Sequence, residues 1–115
     1  MKDQEKIIDF DTKLLERYIE NKRPPLEIRD QLDIGYRKEG QAFEVFEIRP
    51  NWMDNSIKME IPVAKARYVK SRSVWRLYWM RGNLKWDFYE PAGEMTSLSE
   101  VLEVIDADTH GCFWG

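Results

Sequence analysis

Residues 74–90 constrain the fold most, because their pattern predicts a β-hairpin with a defined pairing of its two strands. Apolar and polar residues alternate on both sides of Gly82-Asn83, a dipeptide that favours the positive φ angles of a two-residue turn. The predicted pairs on the apolar face are Trp79 with Trp86 and Leu77 with Phe88, and those on the amphipathic face are Arg76 with Tyr89, Tyr78 with Asp87, and Met80 with Lys85. The hairpin is therefore expected to bury the Trp79–Trp86 pair, with Trp75 on the same side.

A second hairpin is predicted around Glu39-Gly40. If Glu39 and Gly40 form a two-residue loop, Tyr36 lies opposite Phe43 and Ile34 lies opposite Val45, all on one face of the hairpin. The alternation then slips at Phe46, which indicates either burial on both faces or a β-bulge near Val45-Phe46. Farther along, residues 57–68 alternate again, and Pro62 within that run is typical of an edge position or a bulge.

Helices are predicted before and after these strands. One helical stripe is formed by Ile7, Ile8, Leu14, Leu15, Tyr18 and Ile19, and Pro24-Pro25 ends this helix, which gives a first helix at about residues 4–22. Ser97 and Glu100 have the spacing of a capping box and start a second helix at about residues 98–106. The fold class is therefore α+β, a five-stranded antiparallel meander with an N-terminal and a C-terminal helix packed on it.

The length and composition fit a single domain. The chain has 115 residues, of which 43% are hydrophobic and 13% aromatic, so it can bury one core. The domain is expected to span residues 1–115, with the sheet at about 31–90 and a tail at 107–115. That tail ends Cys112-Phe113-Trp114-Gly115, so we expect it to fold back onto the domain, with docking to a partner as the alternative.

The expected location is the cytoplasm. Cys112 is the single cysteine, so an intramolecular disulfide is excluded. The N-terminus has no long apolar run typical of a signal peptide, and no stretch is long enough for a membrane span.

Charge is distributed unevenly along the chain. Residues 58–85 contain eight basic residues and one acidic residue, whereas residues 86–115 contain seven acidic residues and no basic residue. The net charge is nevertheless −3, so the pattern indicates a local basic face and not a general affinity for polyanions.

This basic segment supplies the candidate binding site. Basic residues could hold phosphates while aromatic rings stack on bases. The candidate residues for an anionic ligand are Lys65, Arg67, Arg72, Arg76, Tyr78 and Arg81. An ordinary sheet face, with arginines covering rings, explains the same pattern, because the hairpin prediction assigns Trp75, Trp79 and Trp86 to the core.

Two other groups of residues are candidates for chemical sites. Asp106, Asp108, His110 and Cys112 are ligand types for a metal, but no second His or further Cys completes a structural zinc site. Glu47 beside Arg49 could be a buried base, although a structural ion pair at a strand end is the simpler interpretation. We predict no catalytic residue, no metal and no cofactor.

Five motifs, in order, carry a resemblance to a known family. They are Glu-Ile-Arg-Pro-Asn-Trp (47–52), Ala-Lys-Ala-Arg-Tyr (64–68), Val-Trp-Arg-Leu-Tyr-Trp (74–79), Trp86 with Tyr89, and Gly-Cys-Phe-Trp-Gly (111–115). Over residues 24–115 the chain resembles small bacterial proteins of domain-of-unknown-function family 3024. Members of that family often have His where this chain has Asp87. The resemblance implies a bacterial, free-standing protein and supplies no activity.

Three hypotheses for the function follow. The first is a non-catalytic binding module whose basic sheet face meets an anionic partner, nucleic acid above all. The second is a protein-interaction or assembly subunit that uses its apolar C-terminus. The third is a small hydrolase built around Glu47 or His110. The oligomeric state is left open.

Overall fold

The computed structural model describes residues 2–115, with side chains from residue 10 onward, and confirms the predicted α+β class. The elements in chain order are helix α1 (Lys2–Lys22), strands β1 (Asp33–Glu39), β2 (Ala42–Pro50), β3 (Lys58–Val69), β4 (Val74–Met80), β5 (Trp86–Phe88) and β6 (Glu94–Met95), and helix α2 (Leu98–Ala107). Strands β1 to β5 form the expected antiparallel meander. The two-residue strand β6 was not predicted. It pairs with β4 on the same edge as β5, the edge opposite β3.

Both helices agree with the sequence prediction to within two residues at each end. Helix α1 ends just before Pro24, as a proline pair requires. The Ser97 hydroxyl accepts a hydrogen bond from the Glu100 backbone N–H at 3.2 Å and caps α2. Neither helix, over the residues described, is long and apolar enough to cross a membrane.

The core lies between the two helices and one face of the sheet. The helices contribute Leu15, Ile19, Leu98, Val101, Leu102 and Ile105, and the sheet contributes Phe43, Val45, Ala64, Ala66, Trp75 and Leu77. Ala64 and Ala66 of the central strand β3 are almost fully buried, and their small side chains leave room for the helices to approach. Ile7 and Ile8, which were assigned to the same helical stripe, have side chains outside the described part of the chain.

The predicted pairing of the first hairpin is wrong by two residues. Tyr36 pairs with Val45, not with Phe43, because the turn lies at Gly40-Gln41 and not at Glu39-Gly40. Gly40 adopts φ +59°, a conformation that glycine reaches without a steric penalty. Since side chains alternate with a period of two, this slip leaves the predicted apolar face unchanged.

The predicted bulge is present next to Val45-Phe46. Val45 pairs with Ala64 whereas Phe46 pairs with Pro62, so the extra residue is Val63 of β3. The bulge changes the side to which the residues of β3 before Val63 point, whereas β2 keeps its alternation and its continuous pairing with β1. Phe46 follows the inward-facing Val45 and is therefore buried on the face of the sheet opposite the helices, which we call the outer face.

Phe46 lies over a glycine of the neighbouring strand. A Cβ added to Gly35 would come within 2.9 Å of the Phe46 ring and 3.4 Å of Ile48. The guanidinium of Arg37 covers the same ring, 4.9 Å from its centroid. This arrangement fills the β1–β2 half of the outer face with an aromatic ring that is covered by a cation.

The predicted pairing of the second hairpin is wrong by one residue, and this error exchanges the faces of β5. Trp79 pairs with Asp87 and Met80 with Trp86. The loop has three residues, because the Arg81 N–H donates to the Lys85 carbonyl at 3.0 Å and Leu84 adopts φ +63°. Trp86 and Phe88 therefore lie on the outer face, while Trp79 remains on the helix side.

The C-terminal tail folds back onto the domain, as expected. Phe113 is buried against Tyr89, with ring centroids 4.9 Å apart. The carboxylate of Asp108 accepts hydrogen bonds from the backbone N–H groups of residues 113, 114 and 115 at 3.0, 2.8 and 3.2 Å. Burial raises the pKa of the nearby Cys112 thiol, so little thiolate is present at neutral pH.

A half-buried ion pair connects the end of α1 to the start of β1. Arg23 donates two hydrogen bonds of 2.8 Å to the two oxygens of Asp33. The Asp33 side chain is 17% exposed, so water screens this pair only partly. The Arg23 guanidinium holds the pKa of Asp33 below its usual range.

Asp33→Asn should lower the free energy of unfolding near neutral pH by about 1–2 kcal/mol, because the substitution removes a charged acceptor from Arg23. The pKa of Asp33 is lowered in the folded state, so the wild-type advantage exists above the ordinary carboxyl pKa and is lost as the pH falls through the folded value. Urea unfolding of both proteins at about pH 7 and about pH 3 measures this. Asp30→Asn, at an exposed neighbour, is the control, and a pH-independent difference would contradict the ion-pair explanation.

Phe113→Ala should destabilise the protein by about 3–5 kcal/mol, as expected for removal of a buried aromatic ring. Chemical denaturation monitored by circular dichroism gives the difference in unfolding free energy. Thr109→Ala, at an exposed position beside the tail, should have little effect. An unchanged midpoint for Phe113→Ala would mean that the tail does not complete the core in solution.

Candidate functional site

The candidate site lies on the outer face of β3, β4 and β5. Lys65 pairs with Tyr78, and Tyr78 in turn pairs with Phe88, so these three side chains form one row across the strands. Arg67 pairs with Arg76 in the next row. The helices pack on the alternate residues of the same strands, so they leave this face open.

Arg76 is at the centre of this face and is held by three neighbours. Its Nε donates to the Tyr78 hydroxyl at 3.1 Å, and its guanidinium lies 4.0 Å from the Phe88 ring centroid. Its Nη1 also bonds Glu94 of β6 at 3.2 Å. The hydrogen bond to Tyr78, with Glu94 as a further partner, raises the pKa of Arg76 and keeps it charged. A side chain fixed in this way presents a positive charge without needing to be ordered by a ligand.

Glu94 neutralises part of the predicted basic cluster. Arg72, in the turn between β3 and β4, also pairs with Glu94, so one carboxylate serves two arginines. This acid was missed by the sequence analysis, because a strand of two residues gives no detectable alternation. The charge of Arg72 and Arg76 together is therefore about half compensated.

Lys65 and Arg67 are the least compensated cations of the face. Among the residues with described side chains, neither has an ion-pair partner within 4.0 Å. The acid opposite Lys65 on β2 is Glu44, which interacts with Arg37 at 3.6 Å. These two side chains are consequently the best candidates for contacts with an external anion.

Arg81 does not belong to this group. It follows the last residue of β4, at the opposite end of that strand from Arg72, and the length of β4 separates the two by about 20 Å. Its guanidinium pairs with Asp87 at 3.3 Å and lies 5.8 Å from the Trp79 ring centroid. The structure therefore brings together five of the six predicted residues and leaves Arg81 apart.

The three-residue hairpin loop adds residues that the sequence analysis had placed elsewhere. Trp86 and Phe88 lie half-buried on the outer face, together with Tyr78 and Met80. The side chain of Asn83 accepts a hydrogen bond from the Lys85 N–H at 3.1 Å, a local turn that lengthens the loop. Asn83, three residues before β5, was the one signal in the sequence that could have indicated this longer loop.

The two groups considered for a hydrolase lie far apart. Glu47 accepts a hydrogen bond from Arg49 at 3.1 Å and pairs with Ile34 of β1, which confirms the structural ion pair. His110 instead lies beside Tyr89, which follows β5, with ring centroids 6.3 Å apart. Three strand spacings, about 14 Å, separate β2 from β5.

The predicted metal-ligand types are not assembled into a site. Asp106 pairs with Lys22 at 2.7 Å, and that contact holds the pKa of Asp106 low. The carboxylate of Asp108 is occupied by backbone N–H groups of the tail. No group of three or more His, Cys, Asp or Glu residues suited to a metal occurs in the part of the chain whose side chains are described.

No curated protein and no solved structure matches the chain. A family model described as "Domain of unknown function (DUF3024)" matches residues 2–115, which is nearly the whole chain, in agreement with the resemblance noted from its motifs. The chain therefore belongs to the DUF3024 family.

Proposed function

We propose that this protein is a non-catalytic binding module whose outer sheet face meets an anionic partner, with single-stranded nucleic acid as the ligand class. One observation carries the proposal. Lys65, Arg67 and Arg76 lie in adjacent rows with Tyr78 and Phe88, on the face that the helices leave open.

The two kinds of side chain suit the two parts of a nucleotide. Lys65 and Arg67, which lack an acidic partner among the described side chains, supply phosphate contacts. Tyr78 and Trp86 are partly exposed rings on which unpaired bases stack, an interaction that is tolerant of sequence. An antiparallel sheet with one open aromatic and basic face is a common platform for single-stranded RNA.

The balance of charges sets the expected strength of binding. The protein carries a net charge of −3, and Glu94 and Glu44 border the face. Long-range attraction of a polyanion is therefore weak, and binding depends on short-range contacts that salt screens. We expect modest affinity that falls steeply as the salt concentration rises.

Two observations support this function over the alternatives. The wide separation of Glu47 from His110 weighs against a shared hydrolytic site. The burial of Phe113 removes the exposed apolar C-terminus on which the assembly hypothesis depended. We also propose a cytoplasmic location, which the lone Cys112 supports because it cannot form an intramolecular disulfide.

Replacing Lys65 and Arg67 together with Gln should weaken binding of a labelled oligothymidine and flatten its salt dependence. Loss of two phosphate contacts on a single strand reduces the slope of log K against log salt by about 1.4. Fluorescence anisotropy over a salt series measures the slope. The matched control is the replacement of Lys13 and Arg17 with Gln, since these residues are exposed on α1, on the other side of the sheet, and the same charge is removed.

The Trp86→Ala substitution tests whether the face binds nucleic acid in particular or any polyanion. If bases stack on this ring, the substitution should weaken oligonucleotide binding by about tenfold and leave binding of inorganic polyphosphate unchanged. Equal losses for both ligands would support an anion site that does not recognise bases. No binding of oligothymidine at low salt, or equal effects of the Lys65/Arg67 and Lys13/Arg17 variants, would refute the proposal.

A further inference from the structure

The β2–β3 hairpin extends beyond the rest of the sheet as an arm, defined here as residues 49–62. Pairing of β1 with β2 ends at Ile48, and pairing of β4 with β3 begins only at Lys65. Each residue from 52 to 62 is exposed. Along this arm one edge of β3 therefore has no neighbouring strand among residues 2–115, while its other edge pairs with β2.

The arm exposes apolar side chains together with this free edge. Ile57, which immediately precedes β3, and Met59 and Ile61 of β3 occupy alternate positions and are 51%, 44% and 39% exposed. They share one face, because alternate residues of a strand point to the same side. An exposed, apolar strand edge tends to pair with another strand.

The hydrogen-bonding pattern defines which residues are available to such a strand. The Asn51 N–H donates to the Ile57 carbonyl at 2.8 Å, so the backbone carbonyl of Ile57 points toward the chain of β2. Alternation then turns the backbone N–H and C=O groups of Lys58 and Glu60 toward the free edge. Pro62 has no N–H, and the Ser56 N–H is already bonded to Asp54 at 3.0 Å. The stretch open to pairing is therefore residues 57–61.

The sequence of this stretch is complementary to itself. It reads Ile57-Lys58-Met59-Glu60-Ile61, with matching apolar residues and opposite charges placed symmetrically about Met59. In an antiparallel pair centred on Met59, Lys58 of each copy faces Glu60 of the other, and Ile57 faces Ile61. Opposite charges facing each other across strands stabilise a pair, and like charges destabilise it.

We propose that the arm is a homodimer interface, in which the β3 edges of two copies pair antiparallel about a two-fold axis through Met59. The two Lys58–Glu60 rungs supply the backbone hydrogen bonds on either side of that axis. Pro62 ends the pairing on one side and the turn at Ser56 ends it on the other, so neighbouring registers are disfavoured. This interface is separate from the face of β3–β5 and does not depend on nucleic-acid binding.

Contacts within one copy hold the two charged side chains without burying them. Arg37 donates two hydrogen bonds to Glu60, at 2.8 and 3.0 Å, and the Glu60 side chain remains 48% exposed. Lys58 Nζ donates to the Asp30 carbonyl at 2.7 Å, a neutral acceptor that leaves its charge uncompensated. Both side chains thus retain the capacity to face an opposite charge on a second copy.

Charge reversal at the paired positions tests this register. Lys58→Glu and Glu60→Lys each place like charges opposite one another twice in the dimer, so each should weaken dimerisation by at least about tenfold. The double exchange K58E/E60K restores opposite charges and should restore the dimer. Sedimentation equilibrium of the full chain at concentrations up to about 1 mM measures the association constant. Glu103→Lys, at an exposed position on α2, is the control for net charge.

Mixing the two single variants provides a test that does not depend on their individual stabilities. The K58E variant has two acidic side chains at the paired positions and the E60K variant has two basic ones. Each acidic side chain of the first variant would therefore face a basic side chain of the second, and the mixture should form a heterodimer while neither variant dimerises alone.

Two results would overturn the proposal. One is a wild-type protein that stays monomeric at the highest concentration. The other is a wild-type dimer whose association constant is unaffected by either reversal, because another surface would then form the contact.

Discussion

The structure depends on the packing of both helices against one face of a central strand. Ala64 and Ala66 of β3 are 1% and 5% exposed, and larger side chains there would hold Leu15 and Leu102 away from the sheet. The buried apolar residues of the helices, among the side chains that the structure describes, all belong to the core on this side. The consequence is an asymmetric sheet, with one face closed by the core and the other free to carry charged and aromatic side chains.

The outer face is not uniform, since its two halves use aromatic rings differently. In the β1–β2 half, Phe46 fills the space above Gly35 and is covered by Arg37. In the β3–β5 half, Tyr78, Trp86 and Phe88 remain partly exposed beside Arg76. The bulge at Val63 adds one residue to β3 and so changes the face to which the residues of β3 point, while the alternation of β2 is uninterrupted.

Much of this architecture could be predicted from periodicity, but the strand pairing could not. The stripes of α1 and α2, the Ser97 cap, the bulge and the return of Phe113 to the core all follow from local patterns. The pairing of each hairpin instead depends on which residues form the turn. A shift of two residues at Gly40 had no effect on the faces, whereas a shift of one residue at Gly82-Asn83 exchanged them.

The candidate site was predictable to a similar extent. Lys65, Arg67, Arg76 and Tyr78 have matching positions in the alternation of their strands and do share a face. Glu94, the partner of Arg72 and Arg76, could not be anticipated, because it comes from a strand of two residues beyond a short 3₁₀ helix at Glu90–Ala92. Trp86 and Phe88 were assigned to the core because Leu84, an unusual residue for positive φ, gave no sign that it belongs to the loop.

The number of residues in the loop between β4 and β5 determines which side chains of β5 lie on the outer face of the sheet. Removing one residue from the loop would turn Trp86 and Phe88 inward and bring Asp87 to the outer face, although no residue of β5 had changed. An insertion of one residue would have the same effect. Natural variation in this protein should therefore be more tolerant of substitutions in the loop than of changes in its length. An acidic surface in place of an aromatic one could arise by a single deletion at a distance from the residues that it affects.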